Sequence, residues 1–321
     1  SKFNNVKFMR IEGCSQEQLE LKDMLNLKQF KFSQHEEEAE EYKWLKRASF
    51  ENCPSLETIY LRSNYLKQVE SINNNKLTSL GVFSNQQDFL INNIKCLKNL
   101  KFFEFYGSNL PDTLLQKVVN LPNLDGLRYF AIDTLTDEQL EIVCQTENLK
   151  NIKLSPLRDS SDLQQLLQIE GIRTIEMGES DLKSVKIKSH ETLEELRGRF
   201  SSGKDIDELV IEDCKNFERI DLEYSDPGKI YLESLPNLRN LKINIYDLED
   251  KSSFIKQLGE LTSLEYLVMK IGKIDTLDLS PLKNLKAVHF HRSKVPLILN
   301  KSLKDEIILN SYKGTVQYIE Q

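Results

Sequence analysis

The sequence predicts an α/β chain of stacked units, each contributing one short parallel strand. Three observations carry this. Apolar triplets spaced three and then two residues apart recur along all 321 residues. Glycine (12) and proline (8) are too scarce for a fibrous or linker-rich architecture. Hydrophobic residues at 39% and charged residues at 29% exclude a disordered chain at one extreme and a membrane protein at the other. No apolar run approaches the ~18 residues of a membrane span, so no membrane insertion is expected.

The clearest segment is Leu56 to Leu66, LETIYLRSNYL, which follows L-x-x-L-x-L-x-x-N-x-L with Ile59 in the second apolar slot. The same spacing picks out Leu77-Leu80-Val82, Leu100-Phe103-Phe105, Leu127-Phe130-Ile132, Leu149-Ile152-Leu154 and Ile172-Ile175-Met177. It continues through Ile206-Leu209-Ile211, Leu238-Leu241-Ile243, Leu264-Leu267-Met269 and Leu285-Val288-Phe290. Upstream, Phe3-Val6-Phe8 and Leu27-Phe30-Phe32 fit more loosely. The twelve starts are 21 to 34 residues apart, and most spacings fall in the ~20–29 residue window of one repeat class.

On these motifs the chain resembles the leucine-rich repeat proteins over essentially its whole length, 1–321, read as a single domain of about twelve units. The resemblance implies a curved solenoid with a parallel sheet on its concave face and short helices, 3₁₀ turns or extended segments on the convex side. Strand geometry agrees: the fourth and sixth positions point inward, and the third, fifth and seventh point to solvent. One unit cannot bury its own leucines, so neighbours must supply the stability.

Departures from the family pattern predict an irregular array. The ninth position, usually Asn, is Asn only at Asn64 and Asn85. The units starting at 172 and 206 run to 34 and 32 residues, and Val185-Lys186-Ile187 and Ile220-Asp221-Leu222 read as convex-side strands within them. Helical spacing places convex helices over Ser15 to Leu25, Thr113 to Val119, Thr136 to Cys144, Ser160 to Gln168 and Ser252 to Leu258, with Asp112, Thr136 and Ser160 as N-caps. Residues 303–321, around Ile307-Ile308-Leu309, form a closing segment. With its first triplet at Phe3, the chain has no room for an N-terminal cap, so an upstream segment is expected in the native protein, which mass spectrometry would detect.

The five cysteines, Cys14, Cys53, Cys96, Cys144 and Cys214, are odd in number and widely spaced. They fit isolated thiols in a reducing compartment, hence a cytoplasmic location, rather than a disulfide framework or zinc site. A net charge of −7 argues against a general nucleic-acid grip.

No catalytic signature emerges. Phosphate-binding glycine loops, dinucleotide fingerprints, nucleophile elbows and kinase motifs are all missing from the sequence, so no enzyme activity and no cofactor is expected. His289 and His291 share one strand and could form half a zinc site. Without flanking ligands they read, beside Arg292, as solvent-facing polar residues, and no metal is expected. The acidic run Glu36-Glu37-Glu38-Ala39-Glu40-Glu41 lacks calcium-loop spacing and reads as a solvated face. Trp44 reads as a core anchor.

The outward positions supply the candidate partner-binding residues. Tyr60, Phe83, Phe102, Tyr106 and Tyr129 gather in units three to six, where exposed aromatics suit a binding hot spot and lateral packing is the simpler account. Glu176, Glu179, Asp207, Glu208, Glu212 and Asp213 against Arg173 make an acidic middle. Arg239, Lys242, Lys270, Lys286 and Arg292 against Glu265 make a basic end, beside His289 and His291. The resemblance implies a non-catalytic module binding another protein on the concave face: a scaffold, a substrate-recruiting arm or a bacterial effector in a host cytosol. The alternative is a regulator or activator of an enzyme such as a phosphatase or small GTPase, with Arg62, Arg128 and Arg292 as the arginines it could lend.

Overall fold

A computed structural model describes residues 5–34, 43–70, 72, 74–86, 88–131, 134–200, 206–222, 226–290, 294–304, 306–310, 312 and 314–320; the side chains of 131, 179, 199 and 200 lie outside the description. The chain is α/β, with long parallel sheets and few helices, and divides into two compact units, Ser1–Pro156 and Leu157–Gln321.

The first unit begins with β1 (Phe8–Glu12), β2 (Gln18–Lys22), β3 (Gln29–Ser33), β4 (Arg47–Glu51), β5 (Thr58–Arg62), β6 (Gln68–Glu70), β7 (Ser79–Ser84) and β8 (Leu90–Ile91). A 3₁₀ turn (Ile94–Cys96), β9 (Phe102–Gly107), α1 (Asp112–Val119), β10 (Gly126–Ala131), α2 (Asp137–Cys144) and β11 (Asn151–Ser155) complete it. Strands β1-β3-β5-β7-β9-β10-β11 pair in that order, all parallel, while β2-β4-β6-β8 form a second parallel sheet. The core lies between the long sheet and a layer made first of that short sheet and then of the helices. Phe30 of β3 meets Phe50 of β4 edge-on, with centroids 5.6 Å apart. Each fully buried leucine in such a core contributes roughly 1.5–3 kcal/mol.

The second unit contains α3 (Ser160–Leu166), β12 (Thr174–Ser180), β13 (Ser184–Lys188), β14 (Glu195–Phe200), β15 (Glu208–Glu212), β16 (Arg219–Leu222), β17 (Lys229–Glu233) and β18 (Asn240–Ile245). It continues through α4 (Lys251–Glu260), β19 (Tyr266–Ile271), β20 (Leu277–Asp278), β21 (Ala287–Phe290), β22 (Leu297–Asn300), β23 (Ile308–Asn310) and β24 (Val316–Ile319). Strands β12-β14-β16-β18-β19-β21-β23 form its long sheet, and β13-β15-β17 and β20-β22-β24 form short parallel sheets.

Nine of the expected triplets place their second and third members inward on the long sheets, as Leu61 opposite Phe32 and Val82 illustrates. Three are displaced. In β1 the inward residues are Met9 and Ile11, opposite Phe30 and Phe32, while Phe8 is 57% exposed. In β10 they are Leu127 and Tyr129, opposite Phe103 and Phe105, so that motif begins at Leu124. The third concerns the two long units. Ile206-Leu209-Ile211 forms β15 on a short sheet, whereas Ile220 and Leu222 form β16 on the long one, and Leu196 of β14 supplies a strand that the spacing search does not find. Equivalent inward positions then fall at 175, 196, 220 and 241, separated by 21, 24 and 21 residues, a repeat-like array without long units.

Local pattern decides what fills the second layer. Ser15 to Leu25 is not a helix, because Leu19 and Leu21 alternate with exposed Gln18, Glu20 and Lys22, and that period of two makes β2. In α1, Leu114, Leu115, Val118 and Val119 lie on one helical face instead. Thr136 caps α2 in a reciprocal box with Gln139. The cap of α3 is Asp159 rather than Ser160, and α1 follows Pro111, with Asp112 its first helical residue.

Serine and glutamine side chains satisfy backbone groups at the strand ends. Ser63 Oγ donates to Leu45 O and Ser84 Oγ to Leu66 O, while Gln34 Nε2 donates to Cys14 O and Lys43 O. At the opposite end of the strands, Asn99, Asn123, Asn216, Asn237 and Asn284 each donate to a backbone carbonyl of the preceding turn. Asn85 Oδ1, by contrast, is buried with no hydrogen-bond partner among the described residues.

Candidate functional site

The solvent side of the first unit's long sheet carries the most specific chemistry. Registered pairing sets two rows across the strands: Lys31, Tyr60, Gly81, Glu104, Arg128 and Lys153 in one, and Ser33, Arg62, Phe83, Tyr106, Phe130 and Ser155 in the next. Phe102 and Gly126 are neighbours in a third. Since adjacent strands lie ~4.8 Å apart, each row brings its side chains into lateral contact.

The rings are ordered by those contacts. Tyr106 and Phe130 stack with centroids 4.5 Å apart and planes 1° from parallel. Tyr60 lies over Gly81 and Phe102 over Gly126; a Cβ on either glycine would come within 2.6 Å or 2.3 Å of the ring. Cations sit on four of the rings: Lys31 5.2 Å from the Tyr60 centroid, Arg62 5.2 Å from Phe83, Arg128 5.1 Å from Phe102 and Lys153 4.8 Å from Phe130.

Glu104 is the one carboxylate among the third, fifth and seventh positions of β3 to β11. It accepts from Tyr106 Oη at 2.6 Å and lies 3.7 Å from Arg128 Nη1. Burial raises the Tyr106 phenol well above its ordinary value, and the hydrogen bond to Glu104 and that residue's charge add to the rise. The Tyr60 phenol is raised as well, by burial first and then by the charge of Glu104.

Of the expected aromatic residues, Tyr60, Phe83, Phe102 and Tyr106 are half-buried on this face. Tyr129 is a correction. Only 1% exposed, it is a core residue whose hydroxyl accepts from Leu110 N at 2.8 Å. Burial pushes its phenol up to about 12. The residue that takes its place on the face is Phe130, which the three-residue slip in register had turned inward.

The acidic middle dissolves. Glu212 and Glu208 lie on β15 in a short sheet, paired with Lys188 at 2.8 Å and Lys186 at 2.6 Å, and Asp213 follows that strand. With β14 and β16 in place, Glu176 faces Arg197, and Asp221 lies 3.4 Å from Arg219 and 3.7 Å from Lys242. Across β12, β14, β16 and β18 the row Glu176, Arg197, Asp221 and Lys242 thus alternates in charge, and Val268 and His289 continue it. The Glu179 side chain, and His291 and Arg292, lie outside the described residues, as does the run Glu36 to Glu41. His289 stands between Val268 and Asn310, and Lys270 Nζ is 5.6 Å from the Tyr246 centroid. Trp44 is half-buried against Tyr65, while its neighbour Leu45 is the core anchor.

Among the described residues no three His, Cys, Asp or Glu side chains gather as a metal-binding group, and no helix is long and apolar enough to cross a membrane. The sequence matches no protein-family model, and comparison with curated proteins yields no match.

Proposed function

We propose that the chain is a leucine-rich-repeat-like, non-catalytic, cytoplasmic interaction module that takes a protein partner on the open face of the first unit's long sheet. The observation that carries this is the group Phe83, Tyr106 and Phe130, half-buried rings on a solvated sheet surface with no glycine beneath them to cover. Tyr60 and Phe102 have a folding reason for their place, since each shields a strand glycine. The other three add apolar surface that folding does not require, and aromatic anchors of this kind dominate protein interfaces. The likeness of fold adds only analogy.

Capture from lysate by the wild-type chain and by Phe83→Ala/Phe130→Ala, with circular dichroism confirming the fold, tests the reading. A protein held by the first and lost by the second is the expected result. If every captured protein is held equally by both, the face is not the binding site.

The regulatory reading shares this surface, because Arg62 is exposed there. Arg62→Ala would then abolish stimulation of the captured enzyme even at chain concentrations that still saturate capture.

A further inference from the structure

The chemistry of this face is more specific than its apolarity, and we infer that it is built to take an acidic, extended peptide segment of the partner. The inference rests on the protein-binding reading above and names the partner's chemistry. A chain of net charge −7 places Lys31, Arg62 and Arg128 against the single carboxylate Glu104 on the solvent positions of β3 to β10. That carboxylate is already engaged by the Tyr106 hydroxyl and Arg128. The surplus is therefore positive, and the cations are fixed: each rests on an aromatic ring, so part of the entropy of holding a long side chain is already spent before a ligand arrives. Arg62 and Arg128 are both exposed, and a guanidinium can pair with a carboxylate through two parallel hydrogen bonds.

The same geometry separates a peptide from a single-stranded nucleic acid. Bases bind by stacking on open ring faces. Here Tyr60 has Gly81 against it and Lys31 over it, Phe102 has Gly126 and Arg128, and Tyr106 and Phe130 cover each other. Arg62 lies over Phe83 and Lys153 over Phe130 as well, so cations stand beside the rings across the face, an arrangement that suits carboxylates interspersed with small or apolar residues. From β3 to β10 is four strand intervals, about 19 Å at ~4.8 Å each, which an extended segment of about six residues spans.

The test is fluorescence anisotropy of the full chain with fluorescein-labelled (Glu-Gly)₆, (Gln-Gly)₆ and oligothymidine dT12, each at 25 and 250 mM NaCl. We expect (Glu-Gly)₆ to bind at least tenfold more tightly than (Gln-Gly)₆ at low salt and to weaken at high salt. Lys31→Gln/Arg62→Gln/Arg128→Gln should cost at least tenfold, and Arg62→Lys/Arg128→Lys, which keeps the charge but not the paired hydrogen bonds, an intermediate loss. Lys242→Gln/Lys270→Gln in the second unit should have no effect. Equal binding of the Glu and Gln peptides, or equal binding by the wild-type and triple-variant chains, overturns the inference. Binding of dT12 that exceeds the acidic peptide and is lost in the triple variant replaces it with a nucleic-acid face. Loss of a captured lysate protein in Phe83→Ala/Phe130→Ala alongside failure of the acidic peptide would sink this inference alone. Failure of both would sink the protein-binding reading too.

Discussion

The Tyr106 and Phe130 rings, on adjacent parallel strands, stack 4.5 Å apart with their planes 1° from parallel. Neither ring is needed to fill the core, so their mutual contact measures what the open face invests in its own order. Offset aromatic pairs contribute roughly 0.5–1.5 kcal/mol beyond the area they bury. A double-mutant cycle of Tyr106→Leu and Phe130→Leu, read by urea unfolding, should give a coupling of about 1 kcal/mol. Additive losses would mean that the rings adjoin without interacting.

Gly107 and Gly171 both have positive φ, at 134° and 74°, but their surroundings differ. A Cβ on Gly107 would fall 1.7 Å from Ser84 O, a backbone atom that cannot swing aside, whereas nothing lies within 4 Å of one on Gly171. Gly107→Ala should therefore cost about 3 kcal/mol or more, through the clash and the loss of an allowed backbone conformation. Gly171→Ala should cost only the backbone part, about 1–2 kcal/mol. Chemical denaturation of the two variants gives the ordering, and a reversed order would refute the account of β9.

Much of the strand array was legible because its inward residues are leucine, isoleucine and phenylalanine at fixed spacing. What the spacing could not tell was which layer a strand joins. Both layers are parallel and alternate inside to outside, so Ile206-Leu209-Ile211 satisfies the template on the short sheet as well as Leu238-Leu241-Ile243 does on the long one. Leu193-x-x-Leu196 escaped because its next inward position is Gly198. At β10, Leu124-Leu127-Tyr129 and Leu127-Phe130-Ile132 both fit, and the hydroxyl decides between them: it finds Leu110 N inside, which a phenylalanine would leave unpaired. The face aromatics were legible as a cluster. Their cation caps were not, because Lys31 and Tyr60, or Arg62 and Phe83, lie more than twenty residues apart and meet only through register.

The buried hydroxyl of Tyr129 makes stability depend on pH in the alkaline range. Its pKa is about 12 in the folded chain against an ordinary 10.0, with burial the main cause. Between those values the unfolded chain has lost the proton and the folded chain keeps it, so stability falls as pH rises from 10 to 12. Tyr129→Phe should be less stable by about 1–2 kcal/mol at pH 7, where Leu110 N loses its acceptor. The gap to wild type should then narrow steadily above pH 10. Urea midpoints across that range decide it, and parallel pH profiles would remove the hydroxyl as the cause.

Among the described residues of the second unit, Asp162 in α3 is a buried charge. Its side chain is 2% exposed, and it accepts from Arg158 N at 2.8 Å, Nε at 3.2 Å and Nη2 at 2.7 Å, while the arginine remains 32% exposed. A pair so placed fixes the loop before α3 more than it adds net stability, because burying the carboxylate offsets much of its attraction. Asp162→Ala strands a half-buried amide and half of a charge pair, and should cost about 2–3 kcal/mol. Asp162→Asn, which keeps one acceptor oxygen and the volume, should cost less. Arg158→Met/Asp162→Leu, which removes both charges and refills the space with apolar atoms, should recover most of the loss. If the double variant is instead as unstable as Asp162→Ala, the pair contributes directly to stability and the loop-fixing account fails.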